Sequence, residues 1–163
     1  WVRTRCGSRG TTSVTSLIPN GFCSMGFALP AAISASLAYP DRRILAINGD
    51  GGFMMNVQEM ETAKRLDCNL TCMVWEDNAY GLIRWKQTNE FGRHTELDFG
   101  NPNWLQLASA FGWHGYRVEN SVDLVEALEG SFEREGPSLV TVPIDYRENQ
   151  MLTDRLGIIV CPI

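Results

Sequence analysis

Two short apolar runs, each closed by an acidic turn and followed by a helical stretch, constrain this chain more than any other feature. Arg43 to Ile47 (RILAI) lies between a turn at Pro40-Asp41 and the break Gly49-Asp50-Gly51-Gly52, and reads as a buried strand. Leu70 to Trp75 (LTCMVW) repeats the pattern and ends on Glu76-Asp77-Asn78. Between the two runs, Phe53, Val57, Met60, Ala63 and Leu66 recur at helical spacing. Strands alternating with helices of this length predict parallel pairing, with helices packed over the sheet.

The remaining segments extend that alternation. Ala28 to Leu37 is alanine-rich, with Pro30 placed where proline suits a first helical turn. Leu82 to Lys86 and Asn103 to Phe111 read as helices, and His114 to Val118 as extended chain after Gly112. Ser121 is an N-cap candidate, with Asp123 and Glu126 in the first turn of a helix reaching about Phe132. Ser138 to Ile144 (SLVTVPI) is the last strand. The expected fold class is therefore α/β, a doubly wound and mostly parallel sheet with helices on both faces. Ligands of such sheets bind beyond the carboxyl ends of the strands, which singles out the GDGG and EDN turns.

The length of 163 residues suits one domain with a proper core. A net charge of -5 argues against a nucleic-acid partner, and no run approaches the roughly 18 apolar residues of a membrane span. The five cysteines form no CxxC pair and His94 and His114 stand apart, which argues against zinc. Cys68 and Cys72 flank or sit in an apolar run, so they read as buried reduced thiols of a cytoplasmic protein. No acidic residue precedes Asp41, while Arg3, Arg5 and Arg9 lie among Ser and Thr, a composition that resembles an organelle transit peptide. A start at Trp1 favours a linker or cut edge over residues 1–17, with the domain proper at 18–163; an organellar location would follow if a parent protein carries the transit peptide.

One strand–helix–strand unit would carry Asp50 and Asp77 to the same edge of the sheet. Gly49, Gly51 and Gly52 let the backbone turn and approach a ligand closely. The free amides at the start of the following helix make an anion site. Anion-binding amides beside two carboxylates are reconciled by a divalent cation. Mg²⁺ takes octahedral oxygen ligands, typically one or two carboxylates plus phosphates, so a magnesium diphosphate satisfies the arrangement. A lone Gly-Asp-Gly is equally a plain turn; here the whole series of strand, GDGG, helix, strand and polar turn matches in order. A dehydrogenase-type nucleotide site would need GxGxxG spacing and a P-loop would need Gly-Lys-Ser/Thr, and neither occurs.

GDGGFMMNVQEMETAKRL followed by EDNAYGLIRWKQ resembles the signature of thiamine-diphosphate enzymes, and the details resemble acetolactate synthases. IPNGFCSMGFALPAAI, FGNPNWLQLASAFGWHGYRVE and the terminal VCPI extend the likeness over roughly residues 18–163. The resemblance implies that Asp50, Asp77 and the backbone carbonyl of Ala79 hold Mg²⁺. It implies diphosphate contacts from Gly49, Gly51, Gly52, Asn78, Tyr80 and Gly81, and cofactor contacts from Cys23, Ser24 and Met25. Met25 would be the apolar wedge that bends the cofactor, against the alternative of a plain core methionine. The Cys23 carbonyl would accept a hydrogen bond from the cofactor's 4′-amino group. Glu76-Asp77 stands where the family usually has Asn-Asn, which makes strict metal dependence the expectation and leaves the role of Glu76 open. Leu82, Arg84 and Trp85 reach towards a substrate pocket or serve only packing and solvation.

The chemistry implied is decarboxylation of pyruvate and carboligation to a second 2-keto acid, giving 2-acetolactate. The implied partners are a pyrimidine-binding domain carrying the activating glutamate, absent from this sequence, and further copies in a full-length homo-oligomer. The chain alone is expected to show no turnover and at most weak cofactor binding. The rival readings are another thiamine-diphosphate decarboxylase or carboligase, and a non-catalytic interaction fragment with exposed Met and Trp residues.

Overall fold

The computed structural model describes residues 16–19 and 21–146; the Arg3–Thr15 stretch and the terminal VCPI lie outside the described residues. Ten elements follow in order: α1 (Ala28–Ala38), β1 (Ile44–Gly49), α2 (Asp50–Met54), α3 (Glu59–Arg65), β2 (Leu70–Glu76), α4 (Gly81–Phe91), α5 (Trp104–Ala110), β3 (His114–Arg117), α6 (Asp123–Glu133) and β4 (Ser138–Pro143). The four strands form one all-parallel sheet in the order β1-β2-β4-β3.

Alternation along β2 divides the molecule into layers. Leu70, Cys72 and Val74 face a core shared with Leu29, Ala32 and Ile33 of α1, Phe53 of α2, Met60 and Ala63 of α3, and Trp104 and Ala108 of α5. Phe53 and Trp104 meet edge to face at 5.8 Å, and the Trp113 indole donates to the Met60 carbonyl at 2.9 Å. Thr71 points the other way and shares a 3.0 Å hydroxyl contact with Ser131 of α6. Helices therefore cover both faces, as expected from the alternating pattern. Cover on the α6 face stops short of Leu45, Ile47 and Trp75, which stay about half exposed.

Two local expectations are corrected. The stretch from Phe53 to Leu66 is two helices rather than one, because tight turns with Asn56 N–H donating to Phe53 O and Glu59 N–H to Asn56 O interrupt it. The interruption is fastened from outside, since the Asn56 side-chain amide donates to the Gly26 carbonyl at 2.8 Å. The second correction is the cap of α6. Ser121 does not cap it; the Asp123 carboxylate instead reaches back to accept from Asn120 N–H at 3.2 Å. Asn103, by contrast, caps α5 by accepting from Gln106 N–H at 3.0 Å.

Candidate metal and diphosphate site

Parallel pairing in register sets the two acidic turns side by side. Gly49 at the end of β1 aligns with Trp75 of β2, so Asp50 and the Glu76-Asp77-Asn78 turn leave the sheet at the same edge. The Asp50 side chain is 2% exposed and is held by four donors. Its Oδ2 accepts from Asp77 N–H at 3.1 Å, Asn78 N–H at 2.8 Å and the Asn101 side-chain amide at 2.6 Å; its Oδ1 accepts from Gly51 N–H at 2.8 Å.

Asp77 is the opposite case. Its side chain is 9% exposed, yet Oδ2 is buried without a hydrogen-bond partner. Oδ1 takes only a long 3.4 Å bond from Ala79 N–H, and the Arg84 guanidinium stands off at 3.9 Å. Burial, and then the neighbouring Asp50 charge, push the Asp77 carboxyl above its ordinary pKa. A buried unsatisfied carboxylate oxygen beside a second carboxylate is what a divalent cation relieves, so the donor set fits Mg²⁺. Among the described residues no three His, Cys, Asp or Glu side chains converge, which leaves backbone carbonyls and ligand oxygens for the other positions.

Ala79 lies between Asn78, whose carbonyl accepts from Phe99 N–H at 2.9 Å, and Tyr80, whose N–H donates to Leu97 O at 3.0 Å. In this isolated Ala79–Asp98 bridge the neighbours of Ala79 carry the hydrogen bonds to residues 97–99, and the Ala79 N–H is taken by Asp77 Oδ1. The segment 95–101 thus straps over the turn, fixed by Arg84 to Asp98 at 2.9 Å and by Phe99 against the Tyr80 ring at 5.0 Å. Arg84 is neither free nor aimed at an open pocket; it joins the strap to Asp77.

The glycines of the GDGG turn act differently from the sequence expectation. None has a positive φ, because α2 begins directly at Asp50; smallness is required at Gly51, while a Cβ at Gly49 would meet open space and one at Gly52 only an ordinary contact. A Cβ on Gly51 would meet the Tyr80 ring at 2.8 Å. Gly81 is the tightest case: a Cβ there would stand 2.5 Å from Asp77 Oδ2. The Gly51 N–H is already taken by Asp50, and α2 has only five residues, so no long helix dipole is available there. That cleft, about 240 Å³, is lined by Gly51, Met54, Met55, Tyr80, Phe99 and Gly100.

Cys23, Ser24 and Met25 form an exposed turn on the same side. The Asn56–Gly26 bond holds it, and Gly52 would place a Cβ 3.8 Å from Gly26 N. Cys23 has φ 49°, a left-handed conformation uncommon for a residue other than glycine. Met25 is about half exposed rather than packed in the core. Glu76 gains a role: its carboxylate pairs with Arg117 of β3 at 3.0 Å, across the intervening β4, and Arg117 also holds Glu119 at 2.8 Å. Sequence reasoning missed Asn101, Phe99 and Tyr146, the last lying against Gly81 with its hydroxyl pKa raised by burial and then by Asp77 and Asp50. The Asn-Pro-Asn at 101–103 was visible only as the start of a helix at Asn103 and as part of the stretch that extends the family likeness.

Comparison with known proteins places the chain in a family. Residues 2–142 match the model of the thiamine pyrophosphate enzyme C-terminal TPP-binding domain. The chain is 37% identical over 149 residues to the acetolactate synthase of Bacillus subtilis (strain 168), covering 91% of this chain and 26% of that protein. It is 37% identical over 140 residues to the catabolic acetolactate synthase of Raoultella terrigena (86% and 25%). It is 40% identical over 132 residues to the acetolactate synthase isozyme 2 large subunit of Escherichia coli (strain K12) (80% and 24%). The chain spans about a quarter of the length of these curated relatives. A buried acidic pair at one sheet edge and a family match over most of the sequence lead to one assignment: the chain belongs to the thiamine pyrophosphate enzyme family, as its C-terminal TPP-binding domain.

Proposed function

We propose that this chain binds the magnesium diphosphate end of thiamine diphosphate within an acetolactate synthase, the parent enzyme decarboxylating pyruvate and joining it to a second 2-keto acid. The observation that carries this reading is the orphaned Asp77 Oδ2 beside Asp50, whose Oδ2 is filled by donors while its Oδ1 receives a single one. Asp50, Asp77 and the Ala79 carbonyl would hold Mg²⁺. Gly49, Gly52, Asn78, Tyr80 and Gly81 border the place of the phosphates, with Gly51 contributing through the close approach its missing side chain allows. When bound, thiamine diphosphate supplies the electron sink for decarboxylation. The chain's own part is to anchor the cofactor, to screen it with the Tyr80–Phe99 pair, and to present the Cys23–Met25 turn to its central portion.

The apolar side chains left open around this edge support a covering partner, the pyrimidine-binding domain. Phe22 is 98% exposed, Leu82 68% and Phe91 70%, and α4 has no buried residue at all. A helix with no fully buried residue gains stability by packing against a further surface. Calorimetric titration of the chain with thiamine diphosphate tests the reading: heat is expected only with Mg²⁺, none with NAD, and no acetolactate should form from pyruvate. Metal-independent binding, or binding of NAD in preference, would count against it. Product analysis of the full-length parent with pyruvate separates acetolactate synthesis from simple decarboxylation.

A further inference from the structure

One guanidinium is shared between the candidate metal ligand Asp77 and the strap that crosses the turn. Arg84 Nη1 donates to Asp98 Oδ1 at 2.9 Å, while its Nη2 stops 3.9 Å from Asp77 Oδ2. The first distance is a full charge-assisted hydrogen bond; the second leaves Asp77 Oδ2 without a hydrogen-bond partner. This division runs against burial. The Asp77 side chain is 9% exposed and that of Asp98 66%, so the buried carboxylate would gain more from a close cation, yet the exposed one holds it.

Among the described residues the Arg84 side chain has these two partners. A guanidinium is a planar fork of N–H groups that fits carboxylates. Released from Asp98, it needs a shift of only about 1 Å to bring the 3.9 Å gap to hydrogen-bond length. It would then satisfy the orphaned oxygen with a cation from the chain itself, on the atom offered to Mg²⁺. We infer that Asp98 is a positioning residue: it parks the Arg84 guanidinium short of Asp77 Oδ2 and so keeps that oxygen open to a divalent cation. Backbone contacts place Asp98 for this, since the Ala79–Asp98 bridge and the Phe99 N–H to Asn78 O bond hold its segment across the turn. His94 Nε2 stands 3.8 Å from the other oxygen, Asp98 Oδ2, which leaves Oδ1 to Arg84. The role rests on the metal site proposed above and gives that site a competitor, its own arginine.

The test uses the whole chain and the metals alone, at pH 8. Mn²⁺ binding is followed by electron paramagnetic resonance, with Mg²⁺ as competitor, for the unmodified chain, Asp98→Asn, Arg84→Gln and the double variant. Asp98→Asn is expected to weaken Mg²⁺ binding about tenfold, as for other groups that orient metal ligands. Arg84→Gln should strengthen it, on the order of threefold, because a competing positive charge is gone. In the double variant the Asp98→Asn loss should vanish, leaving the affinity of Arg84→Gln. A merely structural strap would respond alike when the same ion pair is cut from either end, and loss of the Asp98 charge by itself would cost the same with and without Arg84. Metal-free melting checks folding, with Asp98→Ser as a second variant lacking the carboxylate. A weakening in both single variants, or an Asp98→Asn loss that persists without Arg84, would overturn the positioning role and leave the metal site standing. Failure of the unmodified chain to bind Mn²⁺ would overturn both.

Discussion

Replacing Asp77 by asparagine separates what the site needs from what the fold prefers. In the metal-free chain, Asp77 Oδ2 is buried without a hydrogen-bond partner, and the neighbouring Asp50 charge opposes that of its carboxyl. Holding a buried acceptor unsatisfied costs about 1–3 kcal/mol. An amide keeps the shape, removes the charge opposed to Asp50, and brings an NH₂ that can donate to that carboxylate. Asp77→Asn is therefore expected to stabilise the metal-free chain by roughly 1–2 kcal/mol. For a chain of this size that is about 3–6 °C in melting temperature. With Mg²⁺ and thiamine diphosphate the order reverses, since the added stability grows as the logarithm of ligand over dissociation constant and the variant has lost an anionic ligand. Melting followed by circular dichroism, with and without Mg²⁺ and cofactor, reads both effects. A metal-free variant less stable than the parent chain, or one that gains as much from Mg²⁺, would refute the reasoning.

Gly81→Ala should drive a methyl group into Asp77 Oδ2, lowering Mg²⁺ affinity about tenfold or more with little change in metal-free melting; metal titration beside thermal unfolding checks it. Trp113→Phe removes the donor to the Met60 carbonyl in the core and should cost about 1–3 kcal/mol, read by urea denaturation at unchanged metal affinity. Burial pushes the Cys72 thiol up to about 12, partly offset by donation from Asn48, while Cys23 is exposed. Iodoacetamide at pH 8 should therefore label Cys23 in the native chain and spare Cys72, as mass spectrometry would show. Because the folded pKa of Cys72 lies above its ordinary 9.0, its stabilising contribution is whole below pH 9 and is lost as pH rises from 9 towards 12. Cys72→Ala should flatten that alkaline decline in stability.

What could be read from the residues and what could not follows from the range of the forces involved. LTCMVW declared itself because β2, inside a parallel sheet, is buried on both faces over most of its length, so its composition alone marks it; RILAI has the same composition although Leu45 and Ile47 of edge strand β1 stay open on one face. The meeting of Asp50 and Asp77 was readable for the same reason, since one crossover between neighbouring parallel strands brings successive strand ends to one edge. The split between α2 and α3 was hidden, because Phe53, Met60 and Ala63 keep helical spacing on either side of it and the cause, Asn56 bonded to Gly26, is a tertiary contact. Asn101 lies far along the chain from Asp50, and Tyr146 further still, so no spacing rule could bring them to the site. Gly51 and Gly81 are held small by the side chains of Tyr80 and Asp77, a tertiary crowding that the sequence does not display, while no turn strains them. Glu76 became intelligible only with Arg117 beside it.

The most direct test is crystallographic: the chain with Mn²⁺ and thiamine diphosphate, with the metal located by its anomalous scattering. The account predicts a single strong peak between Asp50 Oδ1 and Asp77, bonded to both side chains and to a phosphate oxygen. A metal bound away from this pair, or a cofactor whose phosphates avoid the β1 and β2 edge, would contradict it.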